Sequence, residues 1–340
     1  MTHRSIGISS SALLVALFAS ATPAHALTII DTFSGSWTSN ANAAQIEASI
    51  EVASNAIASL YSNPFTVTIN YQSMNSGLGG SSQNLYATSY ANYTQALKND
   101  AAAHPGNTTL ATAVANLSKG NDAGGRTPIA LTSSLVDALG LGNVSAGGTV
   151  YFNSSLMYFG SGAVPSNLYS STAVFQHEID EILGGGGAGS TLGSSLQGYY
   201  YGSLDLYRYS APGKPSYSSS TAASAYYSIN GGVTSLAPFN QTGRGDYGDF
   251  YDTSWIQNYA GTPGHTPEAF AGSIESTMLQ SIGYDLVSGT TTLTAGLSVI
   301  SHGASLIAPA PAPAPGVGLA GFGFLAVAGA VARLLESRRR

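Results

Sequence analysis

The stretch FQHEIDEILGGGG, residues 175 to 187, decides how the rest of the chain is read. Val174, Ile179, Ile182 and Leu183 recur at helical spacing, Ser171 or Thr172 stands where a helix is capped, and Gly184 stands where one ends, so a helix is predicted over 171–184. On that helix His177, Glu178 and Glu181 share a face. An imidazole and a carboxylate one turn apart can aim donor atoms at a single ion, and the carboxylate next to the histidine then reaches an ion-bound water and takes its proton. The commoner form of this motif has histidine where Glu181 stands. Carboxylate oxygen binds zinc at distances close to those of imidazole nitrogen, so the substitution alters such a site without abolishing it. The competing reading is a solvated acidic helix face. It has to explain three acids in four positions (Glu178, Asp180, Glu181) in a chain with only 8% charged residues.

That scarcity of charge is the main compositional feature. With 44% hydrophobic residues over 340 positions, the chain has ample material for a packed core, while 41 glycines and 20 tyrosines accompany many Ser and Asn residues. There is no cysteine, which excludes a disulfide framework and leaves core packing, with any bound metal, to stabilise the fold.

Both ends carry export patterns. A basic start (His3, Arg4), the apolar run SALLVALFASA at 11–21 and the small-x-small site Ala24-His25-Ala26 read as a signal peptide over 1–26. At the other end, a linker over 289–315 closes with PAPAPAP, and an uncharged apolar run and basic end (Arg333, Arg338, Arg339, Arg340) occupy 316–340. The apolar run is close to the minimum for a transmembrane helix, with the arginines on the cytoplasmic side. This tail resembles the bacterial PEP-CTERM sorting signals, with Pro313-Ala314-Pro315 in place of the usual Pro-Glu-Pro. The resemblance implies a secreted or cell-surface protein, tethered by the tail, with the inner membrane and sorting machinery as partners. Residues 27–307 carry six Lys and Arg against sixteen Asp and Glu, a net charge of −10 that argues against nucleic acid as a partner.

Between the ends, residues 43–61 place Ile46, Ile50, Ala53, Ile57 and Leu60 on one stripe of a predicted helix, which Asn63-Pro64 stops. FTVTINY (65–71) alternates as a strand, 86–103 and 108–117 read as helices, and TVYFNS (149–154) as a strand suited to pairing with an extended substrate. Residues 185–265 are dominated by Gly and Tyr with short strand-like pieces, and PEAFAGSIESTMLQSIGY (267–284) reads as a closing helix begun by Pro267 and Glu268.

HEIDEILG, DLYRYS (205–210), YYSINGG (226–232), GDYGDFYD (245–252) and SIGYDL (281–286) together resemble a set of secreted bacterial metalloproteases in the zincin superfamily. The likeness spans most of residues 27–288. It implies an α+β, zincin-like domain: a twisted mixed sheet with an active-site helix, then the Gly/Tyr-rich region and the closing helix. It also implies peptide hydrolysis by a metal-bound water with Glu178 as general base and protein or peptide as substrate. Gly184 matches the metzincin glycine that turns the chain after the helix, whereas the third metzincin histidine would fall at Gly187.

A third ligand is therefore sought elsewhere. Asp205 is the first choice, because GSLDLYRY resembles the Gly-Thr-x-Asp element of aspzincins, and His265 in GTPGHTPEAF is the alternative. One imidazole with two carboxylates keeps Zn2+ as the expected ion and makes Fe2+ or Mn2+ alternatives. Tyr207 or Tyr209, beside Asp205, would donate to the developing oxyanion. Asp246, Asp249 and Asp252 gather oxygen donors in a Gly-rich loop and form a candidate Ca2+ site. The rival to a protease is a catalytically inactive surface or exopolysaccharide-matrix protein with a protease-like fold.

Overall fold

The computed structural model describes residues 26–118 and 128–287. The segments read from sequence as a signal peptide (all but residue 26), a Pro/Ala-rich linker and an apolar tail lie outside the described residues. Among the described residues no helix is long and apolar enough to cross a membrane.

The architecture is mixed α+β, with several sheets and six α-helices among the described residues. The largest sheet is built from β1 (Thr28–Phe33), β2 (Thr66–Ser73), β3 (Gly79–Gln83) and β6 (Gly147–Phe152) in the order β1-β2-β6-β3. β1, β2 and β6 run parallel, and β3 closes the sheet antiparallel to β6 with Gly80 opposite Tyr151. The strand expected to be the free edge, 149–154, is thus paired on both sides. The edges belong to β1 and to β3, the latter a Gly/Ser strand with too little side-chain signal to be read from sequence.

Helix α1 (Ala43–Ala58) buries the stripe of Ile46, Ile50, Ala53 and Ile57 that its periodicity announced. Next come β4 (Leu85–Thr88), α2 (Tyr90–Ala103), α3 (Thr108–Ala115), β5 (Ile129–Thr132) and α4 (Ser133–Ala138). The helix expected from residue 86 begins only at Tyr90. Leu85–Thr88 instead pair with β5, and the Ser89 hydroxyl caps α2 by accepting from Asn92 N–H.

After two short parallel strands, β7 (Met157–Tyr158) and β8 (Tyr169–Ser170), comes α5 (Ser171–Leu183). Its cap is Ser170 rather than Ser171 or Thr172, and Gly184 ends it in the left-handed conformation (φ 101°) that glycine adopts without a Cβ penalty. Every residue of α5 except Thr172 is buried, so the solvated-face reading fails. The helix packs on α1, β3 and β6, and Phe175 sits edge-on to Tyr71 and Phe152 with ring centroids at 5.7 and 5.4 Å.

The Gly/Tyr-rich region folds as a second small sheet in the order β11-β10-β12-β13, from β10 (Arg208–Ala211), β11 (Lys214–Pro215), β12 (Tyr226–Tyr227) and β13 (Ala237–Pro238), preceded by β9 (Tyr201–Gly202) alongside β5. The closing helix α6 is shorter than expected, Ile274–Ser281, with Ser273 as its cap. The segment after it is stitched to the end of α1: Ser62 N–H donates to Asp285 O and Val287 N–H to Leu60 O. Tyr284 also donates its hydroxyl proton to Leu183 O, which pins the C-terminal end of α5.

Candidate metal centre

Helix α5 presents His177 and Glu181 one turn apart, both buried, to the loop that follows β13. His177 Nδ1 lies 2.9 Å from the carbonyl oxygen of Ile256. A carbonyl only accepts, so Nδ1 carries the proton and the Nε2 lone pair faces inward, the orientation a ligating imidazole requires. Ile256 is itself fixed, because its N–H donates to Glu275 of α6 at 2.8 Å.

Glu181 is held from two sides. Its Oε2 accepts from the Ser81 hydroxyl on β3 at 2.7 Å, and its Oε1 accepts from Gly187 N–H at 3.1 Å. The same Oε1 lies 3.7 Å from His177 Nε2. The third donor is Asp249, whose Oδ2 is 3.9 Å from His177 Nε2, fully buried and without a hydrogen-bond partner. One ligand atom from each of His177, Glu181 and Asp249 lies within 4.8 Å of the others.

The loop that delivers Asp249 comes close because α5 is followed by glycines. A Cβ on Gly187 would stand 2.5 Å from Glu181 Oε1 and 2.7 Å from Asp246 Cβ. With glycine at 187, the GDYGDF loop fills the space beside Glu181 and brings its carboxylates there. Arg208, buried in β10, anchors that loop: its guanidinium donates to Tyr247 O and to Gln241 Oε1 and lies 4.2 Å over the Phe239 ring.

The other expected ligands and donors lie elsewhere. Asp205 is not a ligand of this group: its carboxylate accepts from Ser190 Oγ, Thr191 N, Thr191 Oγ1 and Gly202 N, and it serves as the knot of the turns around β9. Tyr207 and Tyr209 donate to Ser281 O and Asn116 O, well-packed structural bonds that leave neither hydroxyl for an oxyanion. His265 is exposed and lines the same cleft as His177 and Glu178, outside the ligand group. The Ca2+ cluster does not form: Asp252 is exposed and caps Ser254, while Asp246 and Asp249 turn inward toward Glu181.

Glu178 is buried at the floor of a cleft whose walls include Leu78, Tyr169, Val174 and Ile256. Neither of its carboxylate oxygens has a hydrogen-bond partner. Burial pushes its pKa well above the usual carboxylate range, and the charges of Glu181, Asp249 and Asp246 push it further. Asp249 is raised by burial first, then by Glu181 and Asp246, with the Gln257 hydrogen bond opposing. Asp246 is pushed up to about 7 by burial and by Glu181.

The donor chemistry fits a divalent cation. Four acids and an imidazole gather here, and among the described residues no Lys or Arg forms an ion pair with any of the acids. Buried like charges of this density require either protons or a cation, and an inward Nε2 lone pair beside an unpartnered Oδ2 offers the cation its place. Of the three converging donors, the helical motif announced two. Asp249 was visible only as one of three acids in a glycine-rich loop, a signal of oxygen donors that did not say where the loop would fold. No protein-family model, no curated protein and no solved structure matches the chain.

Proposed function

We propose that the chain is an exported, metal-dependent endopeptidase of zincin type, with His177, Glu181 and Asp249 as metal ligands and Glu178 as general base. The observation that carries this reading is the convergence of those three donors beside a buried, unpartnered glutamate that opens on a cleft. Zn2+, Fe2+ or Mn2+ suits one imidazole and two carboxylates. When bound, such an ion polarises the scissile carbonyl and acidifies the attacking water.

Glu178 takes the proton of that water on a carboxylate oxygen and returns it to the leaving amine, and with both oxygens free of hydrogen-bond partners it has a lone pair to receive the proton. Strand β3 is the edge strand on the side of the centre, along which an extended peptide would add as a further strand. It also contributes Ser81, whose hydroxyl holds Glu181, and Gly79, where a Cβ would stand 2.5 Å from Glu178 Oε1. Substrate backbone laid on β3 would therefore run past the base and the ligand set together. The apolar walls of the cleft would receive one substrate side chain.

The test is metal content by mass spectrometry and casein hydrolysis on the same purified chain, beside Glu178→Gln. About one metal per chain, with hydrolysis lost only in the variant, supports the proposal. Metal without hydrolysis in the wild type points to the inactive matrix protein, and a metal-free wild type rules the centre out.

A further inference from the structure

One buried polar group at the centre is unaccounted for by the ligand set above. Gln257 is wholly buried, its Nε2 lies 3.3 Å from His177 Nε2 and 3.1 Å from Asp249 Oδ1, and its Oε1 has no hydrogen-bond partner. His177 carries its proton on Nδ1, so the amide N–H groups donate to His177 Nε2 and to Asp249. The first is the lone pair that a metal ion would use, and the second lies on the same carboxylate whose Oδ2 faces His177. The amide nitrogen thus stands in for the cation.

The residue cannot move away easily. Its N–H donates to Glu275 Oε1 at 3.3 Å, and its carbonyl accepts from Phe250 N–H at 2.8 Å. Space for its amide exists because residue 186 is glycine: a Cβ there would overlap Gln257 Nε2. Rotation about Cγ–Cδ is the motion that leaves its backbone bonds and the rest of its side chain in place. A half-turn exchanges the NH2 group, which a cation repels, for the orphaned Oε1, which a cation attracts, with the rest of the side chain in place.

We infer that Gln257 is a fourth protein ligand of the metal, binding through Oε1, an inference that rests on the metal-centre reading above. One nitrogen and three oxygen donors make the site hard. Four protein donors fill a tetrahedral ion, so admitting both water and a substrate carbonyl requires an ion that accepts five or six ligands. The ion class selected is Mn2+ or Fe2+ ahead of Zn2+.

The test loads the full chain with Co2+ and records its visible absorption, which is strong for four-coordinate and weak for five- or six-coordinate ions, together with affinity by chelator competition. The wild type is expected to give a weak band. Gln257→Met, which keeps the side-chain shape but removes the hard donor, is expected to strengthen the band and weaken affinity about 10- to 100-fold. Gln257→Glu keeps an oxygen donor and is expected to keep the weak band. Circular dichroism checks each fold, with Gln257→Ala replacing Met if that variant does not fold. A removal variant that matches the wild type in band and affinity overturns the inference and leaves the three-ligand centre standing, as does a glutamate variant that behaves like the removal variant. A wild type that takes up no Co2+ overturns both.

Discussion

Among the described residues two clusters bring one histidine together with two carboxylates, and they differ in how the imidazole meets its acids. At the end of α2, His104 Nδ1 lies 2.8 Å from Asp100 Oδ1 and 2.7 Å from Asp285 Oδ2, and the His104 side chain is 51% exposed. At α5, His177 Nε2 stands 3.7 and 3.9 Å from its two carboxylates, and the whole group is buried. Both clusters pair a histidine with an acid four residues away on a helix. In the first, the imidazole hydrogen-bonds its carboxylates directly and a proton does the joining. In the second, a backbone carbonyl holds the outer nitrogen and the carboxylates are kept a further ångström away, a separation that suits an ion between them. Spacing on a helix thus does not by itself specify a metal site, and the partner of the other imidazole nitrogen matters as much.

Removing the acids should separate the two clusters most sharply. Asp249→Ala is expected to abolish metal retention and hydrolysis together, while Asp285→Ala keeps the metal and lowers only the melting temperature. Metal analysis and thermal melts on the same samples check both. Glu178→Gln should keep full metal content and reduce kcat/KM by about 10²- to 10⁴-fold, the range of a lost general base. Equal loss of metal would instead place Glu178 among the ligands.

The pH dependence of stability sharpens the same contrast. Glu178, Asp249 and Asp246 all have folded-state pKa values above their unfolded ones, with Asp246 at about 7. In the window between about pH 4 and those values the folded chain holds more protons than the unfolded one, so stability falls as pH rises. Asp100, raised to about 6 by burial and Asp285, adds in the same direction. The chelated chain should therefore melt lower at pH 7.5 than at pH 5, and added metal should stabilise more at the higher pH, where protons no longer compete. Differential scanning calorimetry at both values checks this; a chelated chain that is more stable at pH 7.5 contradicts it.

Smaller effects belong to residues outside the centre. Asp205→Asn should cost about 1–3 kcal/mol of stability through its broken acceptor set, with metal per folded molecule unchanged. His104→Ala should cost less, about 0.2–1 kcal/mol, as expected for a half-exposed ion pair. Urea unfolding of both variants measures the order.

What was readable from sequence follows from what regular structure constrains. Helical periodicity placed His177, Glu178 and Glu181 on one face and buried the stripe of α1, because within a helix a spacing is a direction. Asp205 and Asp249 lie in loops, where a spacing gives no direction: Asp205 was the expected third ligand and Asp249 a member of the candidate Ca2+ group, whereas it is Asp249 that lies beside His177 and Glu181. Asp205 had the more suggestive neighbours, yet Ser190, Thr191 and Gly202 use up its oxygens. Asp249 reaches the helix only because Gly187 lets the loop in and Arg208 holds it there. The edge strand β3 was missed because Gly79 and Gly80 and the serines after them carry no alternating pattern. Gln257, in WIQN at 255–258, gave no sequence signal at all.

The central claim is that Asp249, and not Asp205, completes a metal centre with His177 and Glu181. Metal content by mass spectrometry on folded wild type, Asp249→Ala and Asp205→Asn tests it most directly. About one equivalent in the wild type and in Asp205→Asn, with none in Asp249→Ala, is the expected result. Metal retained in Asp249→Ala, or absent from the wild type, would contradict it.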